Sequence, residues 1–144
     1  MEIIEQSFEV IDKLDGDAIL KKLEMCGRVC YKSEARITDN SAKAFVRNII
    51  NRGHESVLEH VSFTVRFITD RGVTHELVRH RLASFSQEST RYCDYAGNMT
   101  FIEPVGLNDT LDWLTAMEFA ESTYQEMRNR NISPSLQGLY CRTA

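Results

Sequence analysis

The chain has 144 residues, 42% hydrophobic and 26% charged, with a formal net charge of −4. That is the composition of a globular protein of one domain, able to bury roughly 70% of its unfolded surface. No apolar run approaches the ~18 residues of a membrane span, and Met1-Glu2-Ile3-Ile4-Glu5 lacks the basic stretch that opens a secretory signal. A single domain over residues 1–144, in the cytoplasm, is therefore expected.

Ile4 to Val10 reads as a first strand with Phe8 and Val10 on one face. Asp15-Gly16-Asp17 offers an N-cap, and Ile19, Leu20, Leu23, Cys26 and Cys30 recur at helical spacing to about Tyr31, which places both thiols in the core. Asp39 or Ser41 caps a second helix with Ala44, Phe45, Ile49 and Ile50 on one stripe, and Gly53 closes it. Ser62 to Thr69 alternates with Phe63, Val65 and Phe67 on a buried side. Asp70 ends that strand, and Thr74 to Arg81 suits a helix with Val73, Leu77 and Val78 inward. From Asn108 to Asn131 a long helix turns Leu111, Leu114, Ala116, Phe119, Ala120 and Met127 to a core, with Trp113 and Tyr124 nearby. The four cysteines include no Cys-x-x-Cys pair and are too sparse for a disulfide framework.

Chemistry concentrates between Arg66 and Arg91, where five arginines face three acids inside an acidic chain. A local excess marks a site, not a surface that coats nucleic acid, and aromatic residues do not interleave with the basic ones. Arg79, His80 and Arg81 are consecutive, so on a helix they diverge by about 100° each and need different partners. Arginine on both flanks suits planar, bidentate capture of phosphate, and Ser84, Ser86, Gln87, Ser89 and Thr90 supply short hydroxyl and amide donors. A solvated charged turn is the other reading of the same residues, and a helix C-terminus attracts cations in any case.

The four histidines do not make a zinc site, because a His-Glu-x-x-His pair needs imidazoles four apart on one face. Here His54 and His60 are six apart, and His75 and His80 five. Ser89 lacks an adjacent base and orienting group, so it is read as a ligand donor and not as a nucleophile.

Arg79-His80-Arg81, seven residues, then Ser89 and Arg91-Tyr92 resemble the signature of the flavin-dependent thymidylate synthases. A second block, Gly53-His54-Glu55-Ser56-Val57-Leu58-Glu59-His60 before Phe63-Thr64, resembles that family's Gly-His-x-Ser/Thr segment leading into a strand. No Pro-Cys nucleophile segment occurs, which separates the chain from the cysteine-dependent class. The resemblance implies an α+β fold, helices on a small mostly antiparallel sheet, and a homotetramer with sites between subunits, so that His54 and Arg79 can serve one site from different chains. It implies reductive methylation of dUMP with methylenetetrahydrofolate as one-carbon donor, FAD as carrier and NADPH as reductant, the cofactor carrying the hydride chemistry. Matched residue by residue, flavin contacts fall on His54, Ser56, Arg79, His80, Arg81 and Gln87, and dUMP contacts on Glu76, Arg79, Gln87, Glu88, Ser89, Thr90 and Arg91. No metal, nucleic-acid or membrane partner is implied. The same resemblance also admits a remnant that folds, assembles or binds flavin or nucleotide without turnover.

The pattern stops at about Asn131. Family chains continue through Ala-Arg-x-Val-Leu-Pro, a later Asn-x-Arg flavin contact and the arginine that ionises the uracil ring, and no residue here matches them. No catalytic residue is therefore assigned, and the chain as given is expected to turn over poorly for want of a cation against the charge that develops on the ring. Leu136 to Ala144 can be encoded so that reading from the third base gives Ala-Arg-Pro-Val-Leu-Pro-Asn-Cys, which suggests a frameshift in the tail. Sequencing the coding DNA checks this: the alternative frame should read on through that segment, and a closed or unrelated frame contradicts it.

Overall fold

The computed structural model describes residues 1–97, 99–106 and 110–133. They form an α+β fold in two compact units, Phe8–Arg66 and Met1–Ser7 with the chain from Phe67 onward. The tail after Ser135, with Cys141, lies outside the described residues.

In the unit Phe8–Arg66, Asp15 caps helix α1 (Gly16–Val29) by accepting from the amides of Asp17 and Ala18 at 3.0 and 3.1 Å. Helix α2 (Ala42–Asn51) follows, and a 3₁₀ segment, Glu55–His60, comes after Gly53, whose φ of +67° is one that glycine adopts without a steric penalty. Leu23 and Gly27 of α1 are buried, as are Ala42, Val46 and Ile49 of α2. Burial of each large aliphatic side chain contributes about 1.5–3 kcal/mol. Phe45 lies so close to α1 that a Cβ on Gly27 would meet its Cε1 at 2.8 Å. Ala44 and Ile50, expected on the inner stripe, face solvent: the stripe runs 42, 45, 46, 49 at i, i+3, i+4, i+7 spacing, and Ile50 falls off it. Cys26 is half-buried, but Cys30, read as core, is exposed just past the end of α1.

The most buried large side chain is an acid. Glu24 of α1 is 1% exposed, and its carboxylate accepts from Arg28 Nε at 2.7 Å and from Ser41 Oγ at 2.8 Å. Arg28 also places its guanidinium 4.7 Å from the centre of the Phe45 ring. Ser41 precedes α2 but makes no side-chain cap bond; its hydroxyl instead donates to Glu24 and accepts from the Thr38 amide at 2.9 Å. A buried carboxylate is costly unless fully hydrogen-bonded, and this one ties both helices and their connection together.

The expected first strand is two: β1 (Glu2–Ile4) and β2 (Ser7–Val10), which join different two-stranded sheets. β2 pairs with β3 (Val65–Ile68), beyond whose edge Ile11 N–H donates to Thr64 O at 3.0 Å and the Asp12 carboxylate accepts from the Thr64 amide. Phe63 and Phe67, expected to be buried, are exposed, and so is Phe8 of β2, because a pair of short strands is too narrow to cover a face.

In the other unit β1 pairs in parallel with β4 (Thr100–Ile102), Ile3 opposite Phe101. Helix α4 (Leu111–Asn129) buries Met117 and Tyr124 on Met99 and Phe101, with Tyr95 and Trp113 alongside. The inner stripe of α4 is thus 113, 117, 120, 124, and Leu111, Ala116 and Phe119, expected inside, lie outside it and are exposed. Among the described residues no helix is long and apolar enough to cross a membrane.

Removing one partner of a buried ion pair leaves the other charge uncompensated, at a cost of about 3–5 kcal/mol, whereas replacing both by apolar residues is often neutral. Glu24→Leu should therefore lower the melting temperature sharply, and Glu24→Leu/Arg28→Leu should recover much of the loss. Calorimetric melts of the two variants check this, and equal losses would contradict it.

Candidate functional site

Helix α3 (Arg71–Leu77) begins where the Asp70 carboxylate accepts from Val73 N–H at 3.0 Å. It therefore starts and ends earlier than the expected Thr74 to Arg81. The amides of Arg79 and His80 turn back to Glu76 O and Leu77 O, each at 3.1 Å, and Leu82 adopts a φ of +61°. These three-residue closures tighten the end, and the chain bends at the left-handed residue. Arg79, His80 and Arg81 therefore project from a turn beyond the helix and are all exposed. Val73 and Val78, expected to face inward, are exposed as well.

The structure joins Glu76 to Arg79, whose guanidinium lies 3.6 Å from the acid; both side chains are about three-quarters exposed (73% and 74%). An ion pair this exposed and this long contributes little and leaves the arginine available to a better acceptor. Arg81 has no hydrogen-bond or ion-pair partner among the described residues. The guanidinium of Arg91 lies 5.9 Å from the centre of the Tyr92 ring.

The segment that follows is pinned. Gln87 Nε2 donates to Thr74 Oγ1 at 2.6 Å, and Thr74 Oγ1 donates to Arg71 O at 3.1 Å. Arg71 reaches the same segment with both guanidinium arms, Nη1 to Glu88 O at 3.4 Å and Nη2 to Thr90 Oγ1 at 3.1 Å. Ser89 organises the chain after it: Oγ accepts from Arg91 N–H at 3.3 Å, and O accepts from Tyr92 and Cys93 N–H at 3.2 and 3.0 Å. The Glu88 side chain accepts from Tyr95 O–H at 2.6 Å.

Tyr95 is in turn fixed by α4. Its amide donates to Tyr124 Oη at 3.0 Å, and the two rings meet edge to face with centroids 6.2 Å apart. Tyr124 O–H donates to Asp94, which also receives Arg128 Nε at 3.1 Å and Nη2 at 2.9 Å. These Arg128 hydrogen bonds hold the Asp94 carboxyl below its ordinary range, and Asp94 raises Arg128 in return. Burial, then the Glu88 carboxylate, pushes the Tyr95 phenol well above its ordinary value, so it stays a hydrogen-bond donor at any physiological pH.

The expected site residues thus fall into groups. Gln87, Glu88, Ser89, Thr90 and Arg91 form one pinned segment, and Glu76, Arg79, His80 and Arg81 sit on and just past α3, all in one unit. His54 and Ser56 belong to the other unit, exposed at the start of the 3₁₀ segment, with the His54 amide held by Ile49 O at 3.1 Å. Sequence reasoning missed the supports: Arg71 was visible only as one more cation, and Thr74, Asp94, Tyr95, Tyr124 and Arg128 gave no motif signal. Among the described residues no group of three or more His, Cys, Asp or Glu side chains could hold a metal ion.

A short helix that delivers cations to an exposed turn, followed by a braced row of hydroxyl, amide and carboxylate groups, is an arrangement whose chemistry suits an anionic ligand that also offers hydrogen-bonding groups. Residues 9–137 match the family described as thymidylate synthase complementing protein, and the chain belongs to that family. A flavin-dependent thymidylate synthase of Mycolicibacterium gilvum is 39% identical over 124 residues, 81% of this chain and 48% of that one. The Mycobacterium tuberculosis flavin-dependent thymidylate synthase is 40% identical over 121 residues, 78% of this chain and 48% of its own. The chain thus spans about half the length of the curated relatives it matches. Its fold is shared with a UMP/dUMP methylase, PolB, from Streptomyces cacaoi, solved bound with 5-Br dUMP, at a TM-score of 0.73 and 22% identity over 97% of this chain and 69% of the other.

Proposed function

We propose that this chain supplies the dUMP- and flavin-binding part of a flavin-dependent thymidylate synthase, a cytoplasmic homotetramer that methylates dUMP reductively to dTMP. Methylenetetrahydrofolate would give the one-carbon unit and NADPH the reducing equivalents. The observation that carries the reading is the braced segment from Gln87 to Arg91 next to an exposed cationic turn, within a chain of this family. Family membership and the names of the relatives support the reaction; the roles of individual residues rest on the motif and on their chemistry.

The nucleotide phosphate would be taken by Arg79 and Arg91, whose guanidiniums can form paired hydrogen bonds with it. Ser89 and Thr90 would add hydroxyl donors, and Gln87, Glu88 and Glu76 would supply amide and carboxylate groups for the sugar and base. FAD suits the donor set at the turn, since Arg79, His80 and Arg81 present cationic and ring N–H donors that the protein leaves exposed, as a pyrophosphate requires. His54 and Ser56 would contact the flavin from the other block of the motif, with the homotetramer allowing another copy of the chain to contribute them. The bound flavin supplies hydride. The residues here bind and orient, and no side chain of the site is a nucleophile.

Arg79→Ala and Arg81→Ala should weaken FAD or dUMP binding with little effect on the melting temperature, since both side chains are exposed. Each charge-assisted hydrogen bond lost costs on the order of 1.5 to 3 kcal/mol. Titration calorimetry with each ligand, together with the yellow absorption of oxidised flavin, checks this. Unchanged affinity for both ligands in both variants would show that the cluster is not the ligand site.

A further inference from the structure

We propose that Tyr95 is a positioning residue that holds the Glu88 carboxylate in place for the nucleotide, an inference that rests on the assignment of Glu88 to that site. The carboxylate of an exposed glutamate normally samples several rotamers, and a ligand that needs it in one must bear the cost of ordering it. Here that ordering is built into the protein. Arg71 holds the Glu88 carbonyl oxygen, and the Tyr95 hydroxyl holds Oε1 of its side chain at 2.6 Å. Oε2 has no protein donor among the described residues and remains an acceptor for a ligand N–H or hydroxyl.

The geometry distinguishes this role from packing. The ring of Tyr95 meets Tyr124 edge to face, and its amide is fixed by the Tyr124 hydroxyl at 3.0 Å. A phenylalanine would keep both. What the phenol adds is the reach to Glu88, seven residues back along the chain. Tyr124, 3% exposed on α4, and the Asp94–Arg128 pair stabilise the base from which that reach is made. The neutrality of the donor matters too. An arginine in the same place would neutralise the carboxylate and compete with the ligand for it, whereas a tyrosine orients it and leaves its charge.

The test uses Tyr95→Phe, Glu88→Ala and the double variant of the full chain, with dUMP as the titrant and amide hydrogen exchange measured without ligand. Tyr95→Phe should bind dUMP about three- to tenfold more weakly, the size expected for one hydrogen bond at an exposed carboxylate, with an unchanged melting temperature. In the Glu88→Ala background, which removes the acceptor, the same substitution should cost less than about twofold, because coupled residues are not additive. Without ligand, the amides of Arg91, Tyr92 and Cys93, bonded to Ser89, should exchange severalfold faster in Tyr95→Phe while those of α4 do not change. Additive losses, unaltered dUMP affinity in Tyr95→Phe, or faster exchange spread equally through α4 with a lower melting temperature would each overturn the proposal. Failure of the parent chain to bind dUMP would sink the site assignment instead. The exchange measurement then decides the bracing alone, and an unaltered segment overturns it.

Discussion

The nucleotide site proposed for this chain depends on two hydrogen bonds to one residue: Arg71 to the Glu88 carbonyl and Tyr95 to the Glu88 carboxylate. Ligand-binding loops are drawn from the less stable parts of a protein and lose affinity if they must be ordered on binding. The segment from Gln87 to Arg91 has no regular secondary structure to hold it. It is held by side chains from α3 on one side and, through Tyr95, from α4 on the other. The cationic turn at Arg79–Arg81 is the complement: exposed, lightly paired, and supported by a helix that is itself capped by Asp70.

The bracing explains a division of labour among the arginines that charge counting cannot see. Arg71 and Arg128 are committed to the protein, one to the motif segment and one to Asp94. Arg28 is committed more deeply, to a carboxylate at the α1–α2 packing. Arg79 and Arg81 are left with weak or no partners among the described residues. On the proposed reading, affinity for an anion belongs to the second group, and the first keeps the frame on which the second is displayed.

How much of this could be read from sequence follows from the range of the interactions. Local signals were legible: the Asp15 cap, the end of α2 at Gly53, and the stripes that make α1 and α2 helices. The motif residues were legible as types, because their chemistry is written in consecutive positions. What was hidden depends on distant partners. The pairing of β1 with β4 joins strands nearly a hundred residues apart in sequence, and one continuous alternation from Ile4 to Val10 gave no hint that it divides between two sheets. The face of α4 was misjudged because its sequence is apolar on more than one side, and the choice of Met117 and Tyr124 over Leu111 and Phe119 is made by Met99 and Phe101. Tyr95 and Tyr124, 29 residues apart, meet only in the folded chain.

The central claim, that the segment from Gln87 to Arg91 is a preformed nucleotide site, is tested most directly by titrating dUMP into ¹⁵N-labelled chain and following its amide resonances. The account predicts that the amides of Ser89, Thr90 and Arg91 shift together along one saturable curve, with those in the α1–α2 core unmoved. Saturable binding that leaves these three amides in place would contradict it, since the nucleotide would then sit elsewhere.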